Sequence, residues 1–384
     1  MDWQLSTAKN GEQTLSLNGV QIYSSYRPRE DAKRWVEAEF DATKSSYLLI
    51  GLGLGYHAER LIELAGNKTV YVYYFDQFER AQTPLKQAIE TIDHLDFSDC
   101  QILIPNVWVK ALGQHPLLPF LEDIKINQQS FKRFSQMMAN NFEQNKKYIN
   151  DSVTYPTYEH SVVCIVASGP SLNETIEWLK SCQQHVTIFV VGSALKILLQ
   201  SNIEPHAVFI ADAQDNIIHQ IKDSNYTGDL YYLSTAYSAA IEAHKGNRYV
   251  ICQQGYSSAE QLAKQFSMPI LQSGGSVSTV AISLAEYLGF EKIVLFGQDL
   301  GFIGDRTHAQ SSTSGRNVTM EPDLRKVEAN DGSFIFTTAN LQIYARWINQ
   351  KALQMTTKMY TTSAKGYKMN NVPYFDEEMF RRLL

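Results

Sequence analysis

The chain has 384 residues, enough for two or three domains and an ample buried core. Apolar residues make up 44% and charged residues 19%. That is an ordinary globular profile, and a formal charge of −6 gives no basic footprint for nucleic acid or for an anionic membrane. The four cysteines (Cys100, Cys164, Cys182, Cys252) are scattered, with no Cys-x-x-Cys pair, so reduced thiols are expected and a structural zinc is not. Residues 1–9 lack a signal-peptide pattern and no apolar run reaches membrane-spanning length, which predicts a cytoplasmic protein.

Residues 14–23 alternate around Asn18-Gly19, a strong hairpin signal. A helix is predicted after Pro28, with Ala32, Trp35, Val36 and Phe40 facing inward. Tyr47-Leu48-Leu49-Ile50 then runs into Gly51-Leu52-Gly53-Leu54-Gly55, a helix follows to Ala65, and a second strand ends on Asp76. This is a Rossmann-type opening. Its glycine turn fits either a nucleotide or S-adenosylmethionine, or close packing of helix on sheet. His57 reads as a helix-start residue. Residues 101–105 make another strand, and 128–149 read as a long helix joining two domains, its stripe of Phe131, Phe134, Met137, Met138 and Phe142 facing a core. The predicted organisation is a Rossmann-like domain over 1–126, a linking helix over 127–155, and a second domain over 156–384 with a helical C-terminal segment.

The second domain alternates strand and helix. Strands are expected at 162–167, 187–191, 207–211, 230–233, 248–252 and 292–296, with helices between them, notably 193–199 and 277–288. Such order predicts a parallel, doubly wound sheet with ligands at the carboxyl ends of its strands. The informative loops all fall at such ends.

Ser168-Gly169-Pro170-Ser171 breaks a buried strand and opens a helix, leaving backbone N–H groups unpaired for a phosphate or ribose. Ser171 or Asn173 is expected to cap that helix. Ser193 follows the next strand, and Asp212 ends another, placed for a ribose or a metal. Ser273-Gly274-Gly275-Ser276 opens an apolar helix and suits a phosphate or carboxylate, or simply tight packing. Gly297-Gln298-Asp299-Leu300 ends a strongly apolar strand, and a carboxylate there faces a site or caps a helix. His308 lies in a polar loop, where an imidazole serves as a general base near neutral pH or is merely solvated. No Asp-x-Asp pair accompanies Asp212, so a metal-dependent sugar transferase of the usual type is not indicated.

Taken together, the stretches 167–172, Glu204-Pro205-His206 with Asp212, 273–276, 296–300 and Thr307-His308-Ala309 resemble the motility-associated factor (Maf) family of bacterial flagellin glycosyltransferases, which shares a domain with archaeal pterin diphosphokinases. The 51–57 turn is also similar to that family's N-terminal region. The central domain resembles bacterial sialyltransferases that use CMP-activated nonulosonic acids. The resemblance implies an α/β fold with a Rossmann-like, sialyltransferase-type catalytic domain and a smaller Rossmann-like N-terminal domain. It further implies that Gly169, Pro170 and Ser171 meet the nucleotide, that Gly274, Gly275 and Ser276 lie near phosphate or sugar carboxylate, that Asp299 lines the site, and that His308 is the base. The sialyltransferases support the departing phosphate with tyrosines just past the glycine-aspartate motif. Here Gly301 and Phe302 stand instead, leaving Tyr237, Arg306 or backbone N–H groups for that task.

Three functions are open on this reading. The first is transfer of a nonulosonic acid from a CMP donor to Ser or Thr of flagellin, with no metal and no bound cofactor. The second is pterin diphosphokinase activity, needing Mg²⁺ with ATP and carboxylates such as Asp212 and Asp299. The third is a nucleotide- or S-adenosylmethionine-binding protein working through Gly51–Gly55.

Overall fold

The computed structural model describes the chain apart from residues 93–98, 114, 150–153, 223, 303–307 and 314–323. The chain divides into two compact units, Met1–Ile126 and Asn127–Leu384.

The first unit opens with strands β1 (Trp3–Thr7), β2 (Gln13–Leu17) and β3 (Val20–Gln21), paired antiparallel around the expected Asn-Gly turn. Helix α1 (Pro28–Glu39) starts at the proline, whose missing N–H costs nothing in a first turn. Then come β4 (Ser46–Ile50), α2 (Tyr56–Ala65), β5 (Thr69–Tyr73), α3 (Gln77–Gln82), β6 (Ala88–Ile89), β7 (Cys100–Leu103) and α4 (Asn106–Ala111). Among the described residues the sheet is parallel, in the order β6-β5-β4-β7. Strand β4 is buried on both faces: Leu48 and Ile50 join one apolar cluster, Tyr47 and Leu49 another. Both faces are covered, as parallel sheets require.

Helix α5 (Leu118–Asn145) begins earlier than the sequence pattern suggests. Its aromatic stripe is not a core face. Phe131 is 54% exposed and Met137 is exposed too, whereas Phe142 is buried. What α5 buries near its end is polar. Asn141 donates to the carbonyls of Ala213 and Thr235, and Asn145 to those of Ser234 and Ala236, at 2.8–3.3 Å. These bonds, all within the second unit, fix loops at the carboxyl ends of its strands.

The second unit contains β8 (Val162–Val166), α6 (Leu172–Cys182), β9 (Thr187–Val191), α7 (Gly192–Gln200), β10 (Ala207–Ile210), α8 (Ile218–Ile221), β11 (Asp229–Leu233), α9 (Ser238–Ala243), β12 (Arg248–Gln253), α10 (Ser257–Phe266), β13 (Ile270–Leu271), α11 (Val277–Tyr287) and β14 (Lys292–Phe296). A hairpin of β15 (Arg325–Glu328) and β16 (Phe334–Thr337), α12 (Ala339–Gln354), β17 (Lys358–Thr361) and α13 (Glu377–Leu383) complete it. The described strands form an eight-stranded parallel sheet, ordered β13-β12-β11-β10-β9-β8-β14-β17. The C-terminal segment is therefore not purely helical, since β17 extends the sheet beside β14. Strands β8 and β9 are buried at every position, which explains their almost wholly apolar sequence, Thr187 at the start of β9 excepted. Among the described residues no helix is long and apolar enough to cross a membrane.

Candidate active site

The large sheet changes winding direction once. Strands β9 to β13 step outward from β8 on one side, and β14 lies on the other. The loops leaving β8 and β14 therefore diverge and open a crevice, the general ligand position of doubly wound sheets. A cleft of about 690 Å³ sits there.

Four helices turn their amino ends toward this cleft. Ala167, Ser168 and Gly169 precede α6, Val191 and Ser193 open α7, Ser276–Ser278 open α11, and Thr338, Asn340 and Leu341 open α12; all line it. First-turn N–H groups lack partners within their own helices, and four positive dipole ends add where they converge. No lysine or arginine is among the described lining residues. Anion recognition falls to backbone N–H groups and hydroxyls. The hydroxyls of Ser168 and Ser193 meet at 2.7 Å within this polar floor.

His308 is delivered by its main chain. Ala309 N–H donates to the Ser168 carbonyl at 2.8 Å, Gln310 N–H to the Asn173 side chain at 3.3 Å, and Thr313 N–H to the Ser193 carbonyl at 3.4 Å. The imidazole is half-buried and lines the cleft with Asp212. Asp212 is exposed and accepts from Gln214 N–H at 3.0 Å, closing a turn after β10. Tyr237, whose N–H donates to the Asp212 carbonyl, is not among the lining residues. Arg306 lies outside the described residues.

Asp299 lines the cleft but is only 2% exposed. It accepts the Ser171 N–H at 2.8 Å and the hydroxyls of Ser171 and Ser363. Burial pushes its pKa up, and the bonds from Ser171 and Ser363 oppose that shift. With both oxygens engaged, Asp299 braces the β8 and β14 loops against each other. This corrects the expected cap, because the Ser171 hydroxyl bonds Asp299 and makes no capping bond to α6. Gly169 and Gly297 belong to the same brace. A Cβ on Gly169 would run into the Gly297 carbonyl and the Asp299 carboxylate, and Gly297 sits at φ +61° against the Ala167 carbonyl.

Pro170, Ser171, Gly274 and Gly275 do not line the cleft. Pro170 and Ser171 are buried behind it. Gly274 N–H is taken by the Thr279 hydroxyl at 2.9 Å, and a Cβ there would strike the Trp347 ring. A Cβ on Gly275 would come within 3.0 Å of Tyr344. These two glycines admit the aromatic side chains of α12, which favours the packing alternative for them. Ser276 does reach the cleft, as the N-cap of α11.

The sequence analysis missed the contribution of α12 altogether. Thr338, Asn340, Leu341 and Tyr344 all line the cleft. The Thr338 hydroxyl accepting Leu341 N–H is an N-cap, legible in principle from a threonine just before an amphipathic run. Gln298, 7% exposed, and Phe302 also line it.

In the first unit the glycine turn offers no comparable donors. Gly53 N–H donates to Glu79 at 2.6 Å, Phe75 N–H to the other Glu79 oxygen, and Leu54 N–H to the Tyr23 hydroxyl at 3.1 Å. Asp76, the acidic residue of the Rossmann-type opening, caps α3 and accepts the Trp3 indole N–H at 2.6 Å. The protein's own carboxylates fill the positions a nucleotide would use. Among the described residues no cluster of three or more His, Cys, Asp or Glu is arranged to hold a metal.

Residues 135–305 match a family model described as 6-hydroxymethylpterin diphosphokinase MptE-like. The match lies within the second unit. An uncharacterized protein of Treponema pallidum (strain Nichols) is 32% identical over 149 residues, covering 35% of this chain and 49% of that protein. The chain therefore matches about half the length of that relative. The fold is similar to that of a Maf glycosyltransferase from Magnetospirillum magneticum AMB-1, with a TM-score of 0.52 over 98% of this chain and 71% of that one, at 16% identity. The fold is thus Maf-like. The range matched by the MptE-like model includes the cleft residues from Ala167 to Phe302, whereas His308 and the α12 residues lie beyond it.

Proposed function

We propose that the chain is a glycosyltransferase that moves a nonulosonic acid from a CMP-activated donor to a protein hydroxyl. The observation that carries this is the convergence of four helix amino ends on one cleft without a lysine or arginine in its described lining. A CMP-activated sugar acid bears two anionic groups, phosphodiester and carboxylate. The amino ends of α7, α11 and α12 suit both at once, while at α6 the N–H groups of Ser171, Leu172, Asn173 and Glu174 are already bonded and only the dipole end contributes. His308, half-buried beside the Ser168 loop, takes the proton from the acceptor hydroxyl as the new glycosidic bond forms and CMP departs with the electrons of the old one. Backbone donors that strengthen their bonds as phosphate charge develops supply the electrostatic part. Asp299 positions the loops and does not react. The MptE-like match and the Maf-like fold support the transferase reading. Ser or Thr of flagellin as acceptor follows from the resemblance to the Maf family, a metal-free mechanism from the lack of an Asp-x-Asp pair at Asp212, and a cytoplasmic setting from the N-terminal sequence; all three are part of the proposal.

The diphosphokinase alternative is the weaker one. It would need carboxylates such as Asp212 and Asp299 as Mg²⁺ ligands, and both oxygens of Asp299 already accept hydrogen bonds in a buried setting, which leaves the exposed Asp212 alone. Thermal shifts of the full chain with CMP, with CDP, with ATP plus Mg²⁺, and with S-adenosylmethionine test the readings together. CMP raising the melting temperature is expected. A shift with ATP and Mg²⁺ alone would overturn the transferase reading.

A further inference from the structure

The first unit has its own winding reversal, with β5 and β6 on one side of β4 and β7 on the other. The residues following β4 and β7 again flank a cavity, here of about 220 Å³. His57, in the first turn of α2, and Pro105 to Val107, just past β7, line it together with Tyr23 and with Asp31 and Trp35 of α1.

The chemistry of this cavity is opposite to that of the cleft in the second unit. The glycine-turn N–H groups that would hold a phosphate are already bonded to Glu79 and Tyr23. What remains is ring surface and one buried polar atom. His57 is 5% exposed, its ring lies 5.2 Å from Tyr23 in a stacked arrangement and 5.3 Å from Trp35 edge-on. Its Nδ1 has no hydrogen-bond partner among the described residues. That nitrogen is itself closed off from the cavity by the surrounding rings, so a ligand meets the exposed edge of the His57 ring. Burial pulls the imidazole pKa down to about 4, so the ring is neutral at pH 7 and does not attract an anion.

We propose that this cavity binds a nucleobase or other neutral planar heterocycle, packed against Trp35 and Pro105 and bonded at the edge of the His57 ring. Three features select that class. The cavity is smaller than the roughly 300 Å³ lower bound for drug-sized ligands and fits a compact ring system. The lining is mostly apolar or aromatic, and polar contact falls to Ser24, Asp31, His57 and Asn106, too few to pair the many hydroxyls of a buried sugar. A planar heterocycle gains from every ring face and needs only an edge of hydrogen bonds. The location at the carboxyl ends of β4 and β7 is where open α/β sheets hold ligands.

The test is calorimetric titration of the full chain with adenine. Wild type is expected to bind with a Kd below about 1 mM. His57→Phe keeps a ring but removes both nitrogens and weakens binding about tenfold or more. Asn106→Trp alters an exposed rim position, spares the core and blocks the mouth with a similar loss. Adenosine monophosphate is expected to bind this unit no more tightly than adenosine. Absence of adenine binding at about 10 mM overturns the proposal, as does unchanged affinity in both variants. A phosphate-dependent gain of about tenfold that disappears in His57→Phe overturns it too, because the anion position would then be open. None of these outcomes depends on the donor cleft of the second unit.

Discussion

The Glu79 carboxylate accepts the Gly53 amide N–H at 2.6 Å, with no part of the glutamate exposed. A side chain from the helix after β5 thereby fills the anion position of the glycine turn after β4. Glu79→Ala leaves the Gly53 and Phe75 N–H groups buried and unpaired, and each such group costs about 1–3 kcal/mol. A melting temperature several degrees lower is expected for that variant. Wild type should show no shift with S-adenosylmethionine, and a clear shift would mean that Glu79 yields its place to a ligand.

His57 and Glu79 make opposite pH contributions to the first unit. Burial lowers the His57 pKa from 6.5 to about 4, so its contribution is whole above pH 6.5 and is lost as pH falls toward 4. Burial raises the Glu79 pKa from 4.5 to about 7, with the nearby Asp76 adding to the shift and backbone donors opposing it. The unfolded chain releases that proton first, so stability falls as pH rises from 4.5 to 7. Each shift corresponds to at most about 3 kcal/mol. The two largely cancel between pH 4.5 and 6.5. Hydrogen exchange of first-unit amides should be nearly flat there in wild type. It should report stability falling with pH in His57→Phe and rising with pH in Glu79→Gln. Flat profiles in both variants would rule out the opposing pair.

The parallel strands of the second unit were legible because they are buried on both faces and must be largely apolar, as β8, β9 and β14 are. The loops at their carboxyl ends follow from those strands, which is why Ser168, Gly169, Ser193, Asp212, Ser276, Gly297, Asp299 and His308 could be named in advance and lie together in one cleft. Which of them face the cleft was not legible. Ser171 and Asp299 carry the polar groups of a ligand site, yet they satisfy each other across 128 residues of sequence. Gly274 and Gly275 carry the signature of a phosphate turn, yet they make room for Trp347 and Tyr344, more than sixty residues away. Side-chain partners that distant leave no local pattern. The same limit hid α12, whose cap signal is local but whose position over the cleft is set by tertiary packing.

The Gly169–Gly297 contact gives a sharp mutational contrast. Gly169→Ala pushes a methyl group into the Gly297 carbonyl and the Asp299 carboxylate, both held by backbone bonds and neither able to move away cheaply. Overpacking of this kind costs about 1–3 kcal/mol and here shifts the loop that carries the donor site. CMP binding measured by calorimetry is expected to fall about tenfold or more. Gly255→Ala tests the alternative that any glycine loss is harmful. A Cβ there meets nothing within 4 Å although φ is +83°, so CMP affinity is expected to stay within about twofold. Equal losses in the two variants would show that the Gly169 effect is global destabilisation.

His308 separates binding from chemistry. It reaches the cleft through Ala309 and Gln310 main-chain bonds, so replacing its side chain leaves the Ser168 loop tethered. His308→Ala should therefore retain CMP affinity within about twofold. Release of CMP from a CMP-activated nonulosonic acid, followed in the presence of acceptor, should slow by about 10² to 10⁴, the usual loss on removing a general base. Loss of CMP affinity together with rate would instead make His308 a binding residue. An unchanged rate would move the proton acceptor elsewhere in the cleft, where Asp212 is the exposed carboxylate.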